Sequence, residues 1–171
     1  MTTRTGSDDE PALLGKFGGH DIYPMPMFVT LAVADVAALA SWYQQTLGFA
    51  VVFEAPGAGG QPSLVHLRRR KYQDVLITPL APGAAAAEAP STVSVSFSAD
   101  GEVDALAERA RTVAAVGQST IVGPLDTPWN TRDLRVTDPA GHRLVFTGRN
   151  PNPDAESGAR MKAMFDKSRS K

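Results

Sequence analysis

One pattern occurs twice along this chain: an alternating strand, an amphipathic helix, then three more strands. The first copy opens with Val29, Leu31 and Val33 alternating with Thr30 and Ala32, the period of a half-buried strand. Asp35 follows where a helix N-cap belongs, Val36, Leu39, Tyr43 and Leu47 recur at helical spacing, and Gly48 closes the helix. Phe49 to Phe53 is the next strand, and Leu64 to Arg68 with Asp74 to Thr78 forms a hairpin across Arg69-Arg70-Lys71. The second copy alternates at Val93, Val95 and Phe97, then carries a helical face of Val103, Leu106, Ala110 and Val113. Strands over Ser119 to Val122, Arg132 to Val136 and Arg143 to Thr147 complete it, the last two joined by Asp138-Pro139-Ala140-Gly141. A chain so patterned is α+β, with two βαβββ modules, and a site is expected at the seam between the copies.

The remainder of the 171 residues is placed around these modules. Residues 1–26 read as a flexible N-terminal arm, with few apolar side chains, Gly18-Gly19 and prolines at 24 and 26. Residues 27–149 form one domain: module one at 27–79, a Pro- and Ala-rich linker at 80–91 and module two at 92–149. Residues 150–171 are a polar tail in which Asp154 caps a short helix bearing Met161, Met164 and Phe165. So small an apolar face docks on the body, docks on a second subunit, or frays.

Charge and composition remove several functions. A net charge of −1 and a pI near 6.3 lack the basic excess of a nucleic-acid binder. No apolar run spans a bilayer, and Asp8-Asp9-Glu10 does not fit a secretion signal, so no membrane is expected. With no cysteine there are no disulfides, thiolate metal sites or cysteine nucleophiles, and the cytoplasm is the simplest location. Nucleophile elbows, phosphate loops and dinucleotide fingerprints are absent as well. Arg68 to Lys71 reads as a hydrated hairpin turn, and Asp126 and Asp133 as solvated loop acids.

Several short motifs resemble one superfamily. Leu31-Ala32-Val33-Ala34-Asp35, Trp42-Tyr43 and Leu47-Gly48-Phe49 resemble the opening of vicinal-oxygen-chelate proteins. Thr127-Pro128-Trp129, Arg132 to Val136, and Asp138 to Gly141 followed by Leu144-Val145-Phe146 resemble their closing hairpin. That superfamily includes glyoxalases, extradiol dioxygenases, fosfomycin-resistance enzymes and bleomycin-binding resistance proteins; the likeness spans Met27 to Arg149 and implies that the two modules form an open, cupped, mixed sheet, a glyoxalase-like fold. Its enzymes hold a divalent metal with His or Glu on the first and a late strand of each module. The corresponding positions here are Phe28, a site near Ile77, the Val93 to Ser96 stretch and Val145. None offers imidazole or carboxylate, so no metal, no cofactor and no catalytic residue is assigned.

What the resemblance then implies is metal-independent binding and sequestration of an organic small molecule, an antibiotic of the bleomycin type among the candidates, by a homodimer. The alternative is a glyoxalase- or dioxygenase-like enzyme with a displaced metal site, such as His66 with Asp74, or metal-free acid–base chemistry. The expected ligand contacts are Trp129, Phe28, Phe53, His66 and Phe97, in falling order. Trp129 leads because an indole in a Pro-flanked loop stacks well on planar groups. His66 reads equally as a hydrogen-bonded histidine on the sheet's outer face, Tyr43 as core, and His142 as solvent-facing.

Overall fold

The computed structural model describes residues 15–17, 19–86, 91–114 and 119–153, together with 158–159, 162–163 and 166–167. Its elements follow in chain order: β1 Gly15–Phe17, β2 His20–Ile22, β3 Val29–Val33, α1 Val36–Leu47, β4 Ala50–Pro56, β5 Pro62–Arg68 and β6 Asp74–Pro79. The second half holds β7 Ser94–Ser98, α2 Val103–Ala114, β8 Thr120–Asp126, β9 Thr131–Thr137 and β10 Arg143–Arg149. Two four-stranded sheets result, ordered β3-β6-β5-β4 and β7-β10-β9-β8, each with one parallel and two antiparallel pairings. The two orders are the same, so both copies of the sequence pattern fold alike.

Local chemistry explains the helix ends. The Asp35 carboxylate accepts from the Ala38 amide at 2.9 Å, one of the first-turn donors that have no partner within the helix. Gly48 ends α1 with φ +73°, a left-handed conformation costly for any residue with a Cβ. The chain turns back there, the Phe49 amide bonds the Tyr43 carbonyl at 3.3 Å, and the Phe49 ring lands 5.4 Å from that of Tyr43. A glycine C-cap therefore delivers an aromatic to the core.

Each helix covers one face of its own sheet, and these covered faces meet in a single core. Leu31, Val33, Val65, Leu67, Val75 and Ile77 come from the first sheet; Phe97, Leu134, Val136, Leu144 and Phe146 come from the second. Aromatic rings run through the junction. Phe49 meets Phe97 edge-on at 5.8 Å, and Phe97 stacks on Phe146 at 5.4 Å. Polar ties reinforce it: Tyr43 to Asp138, Arg69 to Glu102, and Arg109 to the carbonyls of Gln44 and Gln45. The seam between modules is thus filled with packed side chains. The other face of each sheet, called the open face below, is left uncovered by the helices.

Four expectations are corrected. Order begins before Met27, because β1 pairs with β2 and Tyr23 is 6% exposed, its hydroxyl accepting from the Tyr72 amide at 2.9 Å. The strand expected over Ser119 to Val122 runs on to Asp126, passing Gly123-Pro124 through an irregularity in its pairing with β9. The basic turn is not simply hydrated: Arg68 binds Asp74, while Arg69 and Arg70 bind Glu102 across the module boundary. His142 is mostly covered and sits 2.8 Å from the Asp138 carboxylate. The expected tail stripe of Met161, Met164 and Phe165 lies outside the described residues, as do the Asp154 cap and Asp8 to Glu10.

Candidate functional site

Strand alternation decides which side chains reach the open faces. On β3, Leu31 and Val33 go to the core, so Thr30 and Ala32 face outward, with exposed Phe28 just before them. The register then sets a row across the first sheet: Phe53, His66, Leu76 and Thr30. On the second sheet two rows lie side by side, Val122-Arg135-Val145-Ser96 and Leu125-Asp133-Thr147-Ser98. Phe28 is 52% exposed, Phe53 39% and Trp129 58%, an unusual allowance for large apolar groups. Phe97 is the exception among the expected contacts. It shares the core-facing parity of Val95 while Ser94, Ser96 and Ser98 take the open face, and it is only 6% exposed. Its ring is part of the seam and is withdrawn from the site.

Trp129 stands at the tip of the β8–β9 hairpin, and the hairpin is held from inside. The Thr127 hydroxyl accepts from the Trp129 amide at 3.2 Å and the Thr131 amide at 3.4 Å, while the Thr127 amide bonds the Thr131 carbonyl at 2.8 Å. Asn130 has φ +61°, a left-handed position that Asn tolerates better than most residues. At the base, Arg132 binds Asp126 and Asp104, tying the hairpin to the start of α2; these bonds hold its guanidinium above the usual range. The result is a rigid support for an exposed indole. Beneath it lies a cleft of about 550 Å³ lined by Ser98, Asp100, Asn130, Thr131, Thr147 and Arg149 among others. That volume is in the range of small-molecule sites.

The open face of the first sheet carries a different group. Asp74, fully buried, is bonded by His66 Nε2 at 2.5 Å and by Arg68 through Nε at 2.9 Å and Nη2 at 2.7 Å. Burial would raise its carboxyl, but the bonds from His66 and Arg68 and the guanidinium charge outweigh that and hold it low. Arg68 also donates to the Asp21 carbonyl at 2.7 Å and lies 4.3 Å from the centre of the Tyr23 ring, so the N-terminal segment straps this end of the sheet. His66 therefore lies on the open face bonded to Asp74, a residue the sequence reading sets beside it only as a displaced metal site and not as its hydrogen-bond partner. The signal was available: a hairpin pairing Arg68 with Asp74 places His66 diagonally across from that acid.

A divalent metal does not fit the expected positions. Phe28 and Val145 offer no donor; near Ile77, which faces the core, the open-face neighbours are Leu76 and Thr78. Ser94 and Ser96 supply only hydroxyls. His66 and Asp74 are engaged with each other, and Arg68 brings a positive charge to the same carboxylate. Among the described residues no three His, Cys, Asp or Glu side chains converge to hold an ion.

Two βαβββ modules with a shared core and uncovered second faces define a recognisable class of protein. The chain belongs to the glyoxalase/bleomycin resistance protein/dioxygenase superfamily, whose family model matches residues 27–146. Among solved structures it is similar to TioX from Micromonospora sp. ML1, with 26% identity, a TM-score of 0.56, and coverage of 72% of this chain and 97% of TioX. TnmS3, an antibiotic-binding protein from Streptomyces sp. CB03234, shows 20% identity and a TM-score of 0.54 over 71% of this chain and 93% of its own. FosX, a fosfomycin resistance protein from Listeria monocytogenes solved with Mn(II) and sulfate, shows 12% identity and a TM-score of 0.55 over 78% and 95%. At those lower identities the likeness shows the fold alone. No curated protein matches the chain. Among the described residues no helix is long and apolar enough to cross a membrane.

Proposed function

We propose that this protein binds and sequesters an organic small molecule, with antibiotic resistance of the bleomycin-binding type as its role in the cytoplasm. Binding needs no metal and leaves the ligand unchanged. One observation carries the reading: a braced hairpin holds an exposed indole over a cleft lined with hydrogen-bonding groups. Holding a large aromatic out of the core sacrifices burial, and stacking on a planar ligand recovers it. TnmS3, of the same fold, is an antibiotic-binding protein, so the fold is compatible with such a role. Phe28, Phe53 and His66 are secondary contacts, set on the first sheet's open face. A homodimer gives them a place in the same site, since a second copy can bring its first sheet over the Trp129 cleft.

The test uses bleomycin and the diaminoacridine proflavine. At a ligand concentration 100 times Kd, binding to the folded state contributes about 2.7 kcal/mol, a rise in Tm of about 5–10 °C for a chain of this size. Mass spectrometry of the incubated ligand should recover it unaltered, and prior dialysis against EDTA should leave the shift in place. A shift abolished by EDTA, or a new product, rejects the proposal. Sedimentation velocity checks the dimer.

A second reading has its own support. The His66–Asp74 bond at 2.5 Å is the arrangement that orients an imidazole for proton transfer, and it favours metal-free acid–base chemistry on the first sheet. A product whose formation disappears in His66→Gln but survives EDTA would select it.

A further inference from the structure

The Trp129 cleft is polarised by a chain of hydroxyl groups. Both lone pairs of Thr127 Oγ1 are engaged by the amides of Trp129 and Thr131, so its hydrogen goes to Thr131 Oγ1, 2.8 Å away. Thr131 passes its own hydrogen to Asp133 Oδ1 at 3.0 Å, and Thr147 gives its hydrogen to the same oxygen at 2.7 Å. A carboxylate only accepts, which fixes these directions. No hydroxyl hydrogen of Thr131 or Thr147 is left for a ligand. What Thr147 presents to the cleft is a pair of free acceptor sites. Two carboxylates nearby add further acceptors. Asp133 Oδ2 has no partner among the described residues, and Asp100 uses only Oδ1, on the Arg149 amide at 2.7 Å. The Asn130 amide oxygen is buried and unbonded beside the same cleft.

From this we infer that the site selects planar aromatic ligands bearing N–H donors or a positive charge, and disfavours anionic ones. Trp129 supplies the stacking face, and its ring quadrupole attracts cations as well. Asp100 supplies charge at the cleft wall, Asp133 supplies it from behind the lining residues Thr131 and Thr147 that bond to it, and Thr147 supplies an acceptor whose orientation is set before the ligand arrives. Arg149 is the opposing charge: its guanidinium also lines the cleft, but it is exposed, long and screened by solvent, and the other donors of the lining, the Ser98 hydroxyl and the Asn130 and Asn150 amides, are neutral. The Asp133 network is partly covered and fixed by three hydroxyl contacts, so its preference dominates. This inference rests on the reading of the Trp129 cleft as the binding site, and its test keeps the two apart.

Three three-ring fluorophores serve as probes: proflavine as cation, 9-cyanoanthracene as a neutral ring without a donor and anthracene-9-carboxylate as anion. Fluorescence anisotropy of the probe gives Kd for the full chain and for Trp129→Ala, Asp133→Asn, Thr147→Val and Arg149→Gln, each checked for folding by circular dichroism. The cation should bind at least about tenfold more tightly than the anion, in keeping with charge-assisted hydrogen bonds. Asp133→Asn and Thr147→Val should each cost the cation about three- to tenfold while leaving the neutral ring within about twofold. Arg149→Gln should tighten the cation by about twofold. Trp129→Ala should weaken all three. If Trp129→Ala weakens all probes but the anion binds as well as the cation, the cleft stands as the site and its selectivity for donors and cations is rejected. If no probe binds, or Trp129→Ala changes none of them, the cleft itself is rejected as the site.

Discussion

The phenol of Tyr43, on the helix of the first module, donates to the buried carboxylate of Asp138, on the closing turn of the second, across 2.9 Å. Asp138 is otherwise held by the amides of Ala140 and His142 and by the His142 ring, so the phenol completes its set of partners. Burial first, then the neighbouring negative charge and the bond to it, push the Tyr43 hydroxyl well above its ordinary value. The folded state therefore keeps this proton more tightly than the unfolded chain. Its contribution is full below about pH 10 and is lost as pH rises beyond that. Tyr43→Phe should cost about 1–3 kcal/mol near neutrality, by leaving a buried acceptor short of a donor, and should flatten the alkaline limb of stability against pH. Urea unfolding at pH 7, 9 and 11 reads both effects.

Much of this architecture was legible in the sequence, and what was not has physical causes. Asp35, Gly48 and the alternation of β3 are local signals, set by capping and strand period, and each element they mark is present. Parity along β7 was equally visible, yet it says only that Phe97 and the serines take opposite faces. Which face the modules share depends on helix packing far along the chain, and that put Phe97 in the seam. The Arg69–Glu102 tie and the Tyr23 strap are similarly long-range, and charge counting cannot find them. Trp129 was singled out from a loop rule; the Thr127 hub that braces it and the Thr147–Asp133 contact needed coordinates.

Asp74 gives the opposite pH signature to Tyr43. Its carboxyl is held below the ordinary range, with burial opposed and outweighed by the bonds from His66 and Arg68. The stability it contributes is complete above the unfolded value of about 3.9 and is lost as pH falls through the lower folded value. Asp74→Asn should cost about 3 kcal/mol at pH 7, because Arg68 stays partly buried without its counter-charge. It should also make the acid limb between about pH 5 and pH 2 shallower than in the parent. Guanidinium unfolding across that range tests the claim; a parallel acid limb would place the charge elsewhere.

Phe97 and Trp129 provide a matched pair, since both are aromatic and only one is buried. Phe97→Ala removes a ring between Phe49 and Phe146 and should cost about 3–5 kcal/mol of stability. Trp129→Ala removes an exposed ring and should change stability by no more than about 0.5 kcal/mol, while weakening proflavine binding. Thermal unfolding and anisotropy titration on both variants separate packing from recognition. A reversed order of stability losses would show that the indole is part of the core.

Gly123 tests whether the hairpin's backbone places the indole. It has φ +102°, and a Cβ there would lie 2.6 Å from the Asp133 carbonyl oxygen, a contact that only movement of β8 or β9 could relieve. The same irregular stretch resets the pairing so that Leu125, two residues on, falls opposite Asp133. Gly123→Ala should therefore cost about 1–3 kcal/mol through combined backbone strain and crowding. Because the shift acts on the strand leading to Thr127, it should also weaken proflavine binding several-fold at temperatures where the variant stays folded. Gly59 is the control: it too has positive φ, at +66°, but a Cβ there meets nothing within 4 Å and the residue is remote in sequence from the hairpin. Gly59→Ala should lose some stability from its backbone conformation alone and leave the proflavine Kd unchanged. Equal effects of the two variants on Kd would mean that the strain at Gly123 is not transmitted to Trp129.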